Sequence, residues 1–258
     1  MNKATPALGL SFCLLLNGCA NLPSQHLAEI VDTNLALYQQ AVNDARVIEA
    51  GENYSGLVTL AADNAQLQRN EQGAIKVVTW KRLSAYQQFI EPNAQTPAHA
   101  DYAFWVTVAP QVQRFCQQWW REQEQPTATT LDLRLKQQLG LHPDWQYDVF
   151  VELWMDPADL FRPCVDPSPT DAQCDLDFSE QVASISGIED YQVFYQALYM
   201  KSFRQLPGVP WTGLGYTYDW ANNGTDVGQS EFMTKPASPY KVEKVVSTED
   251  YCRPPELN

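Results

Sequence analysis

The sequence predicts an α+β fold in which about six mainly antiparallel strands and about four helices are stabilised by disulfides. Segments with strand and helix character follow one another without the regular alternation of a parallel α/β sheet. Hydrophobic residues make up 45% of the chain and aromatic residues 12%, which is ample for a core. Residues 215–220 and 227–233 flank Ala-Asn-Asn-Gly-Thr-Asp, a composition that favours a tight hairpin turn between antiparallel strands.

Four segments carry helical signatures, either apolar residues at steps of three and four or capping patterns. They are residues 27–45, 110–120, 129–139 and 191–205. Pro110 suits a first helical position. Thr129 with Asp132, and Ser186 with Glu189, are spaced as capping pairs. Because of the first pair we predict a helix at 131–136, although that segment alternates with period two.

Six segments rich in β-branched or aromatic residues, or alternating in polarity, predict strands. They are residues 75–80, 102–108, 147–156, 215–220, 227–233 and 240–246. Residues 156–184 contain four prolines and many acids, and we expect irregular surface structure there.

The N-terminus has the pattern of an export signal. Lys3 precedes an apolar run at residues 7–16, which is too short to span a bilayer, and Leu16-Asn-Gly-Cys19 follows it. This stretch resembles the signal of bacterial lipoproteins, although Asn17 stands where that family usually has a small or aliphatic residue. The alternative is a buried N-terminal helix.

The resemblance implies that Cys19 receives a diacylglycerol, that residues 1–18 are removed and that the new amine is acylated. Such an anchor holds a protein stably at a membrane. Ala20 follows the cysteine, which in Gram-negative lipoproteins implies sorting to the outer membrane. We therefore expect a lipid-anchored protein of the bacterial cell envelope whose membrane partner is reached through Cys19.

This interpretation divides the chain into three parts. Residues 1–18 are the signal peptide, residues 19–26 a lipidated tether and residues 27–258 a single globular domain. The formal charge of −14 becomes −15 once Lys3 is removed. This acidity argues against nucleic acid as a partner and favours cationic, neutral or protein partners.

Four cysteines remain when Cys13 is removed with the signal and Cys19 carries lipid. An even number in an oxidising compartment predicts two disulfides. Of the three possible pairings we favour Cys164 with Cys174, which closes a short proline-rich loop, and Cys116 with Cys252. A metal site is the alternative, but these cysteines lack a Cys-x-x-Cys pair or a nearby histidine.

Sequence signatures of the familiar enzyme classes are missing. The three histidines, His26, His99 and His142, have no nucleophile or second ligand near them in sequence. The chain has no Gly-x-Ser-x-Gly, His-Glu-x-x-His, phosphate-loop or dinucleotide motif. Its acidic loops do not match the spaced ligands of a calcium loop. We predict neither a cofactor nor a metal.

Carboxylates near aromatic residues are the first candidates for chemistry. Strand alternation places Glu152 on one face between Phe150 and Trp154. An acid among aromatics can have a raised pKa and donate a proton. The favoured alternative is a carboxylate paired with Arg or Lys at the rim of a sheet.

The hairpin supplies the other candidates. Asp219 and Glu231 are acids beside the aromatic platform of Tyr216, Tyr218 and Trp220. Paired carboxylates beside aromatics are what glycoside chemistry uses. An ordinary hairpin with an aromatic core face is the favoured alternative.

A short resemblance concerns Gly228-Gln-Ser-Glu-Phe-Met233 and the Val-rich segment after it. They resemble the closing strands of ADP-ribosyltransferase-like toxin domains. The resemblance implies that Arg82 holds a dinucleotide, that Glu231 orients its ribose and that Tyr218 stacks on it. It covers about a tenth of the chain and lacks the family's middle Ser-Thr-Ser-like strand, so it is a remote alternative.

We therefore expect an envelope lipoprotein that acts as a binding or structural module, with an envelope protein or a glycan as its partner. The competing class is a carboxylate-dependent enzyme acting on glycans. Aromatics converging with the candidate acids in a cleft would favour the enzyme, and an exposed apolar patch without such a cleft would favour protein binding.

Overall fold

The computed structural model describes residues 22–255, and in the first helix it describes side chains from Ile30 onward, except that of residue 32. The predicted signal peptide and Cys19 lie outside the described residues. The described part of the chain contains no helix that is both long enough and apolar enough to cross a membrane.

The fold is α+β, as predicted, and has six helices within residues 22–255. The helices are α1 (Leu22–Asp44), α2 (Leu83–Phe89), α3 (Gln111–Glu122), α4 (Ala128–Gln138), α5 (Tyr191–Arg204) and α6 (Thr248–Cys252). The strands are β1 (Ile75–Lys81), β2 (Trp105–Val108), β3 (Val149–Met155), β4 (Leu160–Phe161), β5 (Tyr216–Tyr218), β6 (Val227–Ser230), β7 (Phe232–Thr234) and β8 (Lys241–Ser247).

Six strands form one antiparallel sheet in the order β4-β7-β2-β1-β3-β8, and β5 pairs with β6 in a separate hairpin. The central strand β1 pairs with β3 along its whole length, from Ile75 opposite Met155 to Lys81 opposite Val149. Because side chains alternate across a strand, this register fixes which residues face each side of the sheet.

The two faces of the sheet are covered differently. One face is mainly apolar and packs against residues 58–67 and α2. The other face, called here the helical face, carries two separate apolar clusters. One cluster surrounds α3, α4 and α6. The other surrounds α1 and α5.

All four predicted helices are present, but two capping predictions are wrong. Helix α4 is capped by Thr127 with Thr130, since the chain enters the helix two residues earlier than the Thr129 pattern implies. Helix α5 is capped by the Asp190 side chain, which accepts from the backbone N–H of Val193 at 3.0 Å. Helix α1 begins at Leu22, inside the expected tether.

The strand predictions hold at the centre of each segment and fail at some ends. Residues 100–102 form a 3-10 turn, so β2 begins only at Trp105. Predicted strand 227–233 divides after Ser230, because β6 pairs with β5 whereas β7 joins the main sheet. The short elements α2, α6 and β4 were not predicted, because their length leaves little periodicity to detect.

Both predicted disulfides are present. Cys116–Cys252 joins α3 to α6 across 136 residues of sequence, and Cys164–Cys174 closes a loop of separation 10. All four cysteines are buried.

The two disulfides should differ in their contribution to stability. Replacing Cys116 and Cys252 together by alanine should lower the free energy of unfolding by about 3 to 5 kcal/mol, because a long loop is released in the unfolded chain. The matched Cys164→Ala/Cys174→Ala variant should lose about 2 to 3 kcal/mol. Urea unfolding of the three proteins measures both values. A larger loss for the short loop would contradict this.

Candidate binding cavity

A cavity of about 500 Å³ lies on the helical face of the sheet, between the two apolar clusters. Strand alternation directs Val78 and Trp80 of β1, Trp105 and Thr107 of β2, and Met233 of β7 toward it. The cavity exists because the helices of the two clusters leave this part of the sheet uncovered. Its volume suits a small organic ligand.

A column of stacked rings forms one wall. The ring centre of Trp80 lies 4.6 Å from that of Tyr147 and 5.4 Å from that of Phe150, and Phe150 continues the stack to Tyr251 at 4.3 Å. The indole N–H of Trp80 donates to the Thr248 hydroxyl at 2.7 Å. The indole is thereby held in place, and its ring borders the cavity.

The opposite wall consists of α5 and the segment after it, residues 205–211. Gly208 has a φ of +88° and approaches closely enough that an added Cβ would lie 2.9 Å from a methyl of Val42. Its carbonyl accepts from the Tyr38 hydroxyl at 2.8 Å. Glycine is thus required where the segment packs against α1.

The mouth of the cavity mixes apolar and charged groups. Leu206 is 97% exposed and Trp105 36% exposed. Lys201 of α5 forms an ion pair with Asp101 at 2.6 Å, and both residues also line the cavity.

Glu231 is the distinctive polar group of the cavity. It is buried, and among the described residues neither its Oε1 nor the indole N–H of the buried Trp211 has a partner in hydrogen-bond geometry. The backbone N–H of Glu231 donates to the Gly215 carbonyl at 3.0 Å where the chain passes from β6 to β7. The Trp211 N–H nevertheless lies close enough to Glu231 to lower the pKa of its carboxyl, so this acceptor and this donor are neighbours outside hydrogen-bond geometry, and both residues line the cavity.

Burial dominates the electrostatics of Glu231. It raises the pKa of the carboxyl from 4.5 to about 8, and the Arg162 charge and the Trp211 N–H oppose this only partly. Arg162 is completely buried, and its guanidinium donates to the carbonyls of Val58 and Asp171 at 2.9 and 3.0 Å. Burial lowers the pKa of Arg162 to about 10. Glu231 is accordingly protonated for the most part at pH 7.

Two of the predicted acids lie outside the cavity and have partners. The Asp219 carboxylate receives two hydrogen bonds from Arg134, at 2.9 and 2.6 Å, and one from the backbone N–H of Ala221 at 3.1 Å. Glu152 forms an ion pair with Lys76 at 3.4 Å. Of the three candidate acids, Glu231 alone lines the cavity.

Three other predicted residues also lie elsewhere. Arg82 donates to the Gln146 carbonyl at 3.1 Å on the surface. Trp154 donates to Glu243 at 2.8 Å. Trp220 is buried and does not line the cavity.

Tyr216 and Tyr218 do line the cavity, as members of the predicted aromatic platform. Their hydroxyls are engaged outside it, since Tyr216 donates to the Glu52 carbonyl at 2.9 Å and Tyr218 to the Asp44 carboxylate at 2.7 Å. The carboxylates of Asp44, Glu52 and Asp226 lie within 4.8 Å of one another beside these hydroxyls.

Several residues that line the cavity were not among the predicted site residues, notably Trp211 and Tyr147. The stretch Leu206-Pro-Gly-Val-Pro, which follows the predicted helix 191–205, indicates in sequence only that the helix ends. Its two prolines, its glycine and a following tryptophan were the available signal for a segment with a fixed shape.

Comparison of the chain with models of known protein families, with curated protein sequences and with solved structures finds no match in any of the three.

Stability should fall as Glu231 loses its proton. Between about pH 4.5 and 8 the folded state holds a proton that the unfolded state has released, so the free energy of unfolding decreases by about 5 kcal/mol as pH rises through this window. Below the window the stabilisation is complete, and above it the stabilisation is lost.

Urea unfolding at pH 5, 6.5, 8 and 9 measures this slope. The Glu231→Gln variant cannot titrate at this position, so the difference in stability between wild type and variant should follow the slope. A difference that stays constant over this range would contradict the assignment.

Proposed function

We propose that this protein is a ligand-binding module of the bacterial cell envelope, anchored by lipid at Cys19, which takes up a small and largely apolar molecule. The observation that supports binding is the cavity of about 500 Å³ with aromatic walls and a buried carboxyl oxygen that lacks a partner. Binding sites of this kind combine an apolar lining with a few polar groups that orient the ligand.

Catalysis on glycans receives less support. Glycoside hydrolysis uses two carboxyl groups about 5 to 10 Å apart across the bond that is cleaved. Among the described residues, the carboxyl groups that line the cavity are those of Glu231 and Asp101, and Asp101 is paired with Lys201 at the mouth. Glu152 and Asp219 are held by Lys76 and Arg134 outside it.

The nucleotide alternative has the same difficulty. It requires an arginine beside Glu231 that can reach a dinucleotide. Arg82 does not line the cavity, and the buried Arg162 near Glu231 donates to backbone carbonyls.

A neutral fluorescent probe tests for binding. N-phenyl-1-naphthylamine should bind at one saturable site and gain emission as it leaves water. Thr107→Trp fills the cavity from β2 and should weaken this binding at least tenfold. Thr129→Trp, on the exposed surface of α4, is the matched control and should leave it unchanged.

Circular dichroism establishes that both variants fold. Should Thr107→Trp not fold, Ser202→Phe fills the same cavity from α5. Equal binding by wild type and by a folded, cavity-filled variant would refute the proposal that this cavity is the binding site.

The anchor has a separate test. Cys19→Ala should move the protein from the membrane fraction to the soluble fraction, because the acceptor of the diacylglycerol is gone. Cys13→Ala, within the segment expected to be removed, should leave the distribution unchanged. Membrane retention of the Cys19 variant would exclude lipidation at this residue as the means of attachment.

A further inference from the structure

We propose that the ligand carries an organic ammonium group, and that this group binds between the Glu231 carboxylate and the aromatic rings of the cavity. This inference rests on the proposed binding function and specifies the chemical class of the ligand. Three features of the site support it, namely the carboxyl oxygen of Glu231 without a hydrogen bond, the lack of a free cation on the cavity side among the residues that the structure describes, and the aromatic walls.

The first feature is an acceptor without a donor. Glu231 is 94% buried, and its Oε1 forms no hydrogen bond of normal geometry within the described residues, although the Trp211 N–H lies close enough to lower the pKa of the carboxyl. A buried acceptor without a partner costs free energy, and an ammonium donor would remove that cost. Since Glu231 lines the cavity, a ligand in the cavity can supply the donor.

The second feature is that the cavity side offers Glu231 no free cation among the described residues. Lys201 is paired with Asp101 at the mouth. Lys81 also borders the cavity, but its side chain lies on the opposite face of β1, where its Nζ is 5.9 Å from the ring centre of Phe104. The positive charge of Arg162 lowers the pKa of Glu231, but the hydrogen bonds of its guanidinium go to backbone carbonyls.

The third feature is the aromatic lining. Trp80, Trp105, Trp145 and Trp211 border the cavity together with the ring of Tyr218. Aromatic faces attract ammonium groups, and the attraction increases when water is excluded. The chain as a whole has a net charge of −14, which also favours the approach of cations.

Ligands of other charge fit the cavity less well. An anion would face a carboxyl group that it prevents from ionising. A neutral alcohol could donate to Glu231 and accept from the Trp211 N–H, so it is the serious competitor. The two cases differ in proton balance, because an ammonium ligand requires Glu231 to lose its proton whereas an alcohol does not.

Three probes with one skeleton separate these cases, namely tryptamine, tryptophol and indole-3-propionate. Isothermal titration calorimetry at pH 7 should show tryptamine binding at least tenfold more tightly than tryptophol, and indole-3-propionate binding most weakly. Tryptamine binding should release close to one proton, measured as a difference in heat between phosphate and Tris buffers. Its affinity should rise from pH 6 to 9, a range in which an alkyl ammonium group, with a pKa of about 10, stays charged.

The groups that act electrostatically on Glu231 in this range are Arg162, which lowers its pKa, and Tyr216, whose own pKa it raises. Neither changes charge between pH 6 and 9, because burial leaves the pKa of Arg162 at about 10 and moves that of Tyr216 upward. The pH dependence therefore reports on Glu231.

The Glu231→Gln variant should lose the preference for tryptamine over tryptophol, and Glu71→Gln, an exposed site with the same change of charge, should keep it. A preference retained in Glu231→Gln would overturn the inference. If that variant does not fold, the proton release measured when tryptamine binds to the wild type tests the inference. Binding without proton release would overturn it. If tryptophol or indole-3-propionate binds as tightly as tryptamine, the ammonium ligand is refuted and the proposed function stands. If neither these three compounds nor N-phenyl-1-naphthylamine bind, both proposals are refuted.

Discussion

A single buried guanidinium joins three separate stretches of chain, and the cavity depends on the resulting arrangement. Arg162 has no exposed surface and donates to the carbonyls of Val58 and Asp171, with a longer contact of 3.4 Å to that of Gly215. Removing a charge from water is costly unless hydrogen bonds replace the hydration. The three segments must therefore meet at Arg162, and Gly215 in turn holds the backbone of Glu231. Through Gly215, the hydrogen bonds of Arg162 thus help to fix the position of Glu231.

The cavity itself follows from how the helical face is covered. Helices α3, α4 and α6 pack as one group, tied by the Cys116–Cys252 disulfide, and α1 and α5 pack as another. Each group forms its own apolar cluster, so the sheet between them remains open, and large rings from β1 and β3 border the gap. Rigid walls of this kind restrict a ligand to few orientations, which makes the unpartnered carboxyl oxygen of Glu231 important for selectivity.

What could be predicted from the sequence was local. The alternation along β3, the cap of a helix and the even number of cysteines all depend on residues near one another or on the cellular compartment. Glu231 was recognised as a candidate because a hairpin pattern surrounds it. The partners of the two hairpin acids could not be predicted. Asp219 is bound by Arg134, 85 residues away in sequence, and Arg162 approaches Glu231 from a segment that was expected to be irregular. A cavity is a region where packing fails between distant elements, and periodicity along one element carries no information about it.

The start of α1 determines how much flexible chain could lie between the domain and a lipid anchor at Cys19. The helix begins only three residues after Cys19, a distance that the chain covers in at most about 11 Å. Further along the helix, Leu37 and Tyr38 belong to the apolar cluster that α1 shares with α5, so α1 is part of the body of the domain. With lipid at Cys19, the flexible chain between the anchor and the start of α1 would be no longer than those three residues, and the domain would be held close to the bilayer surface.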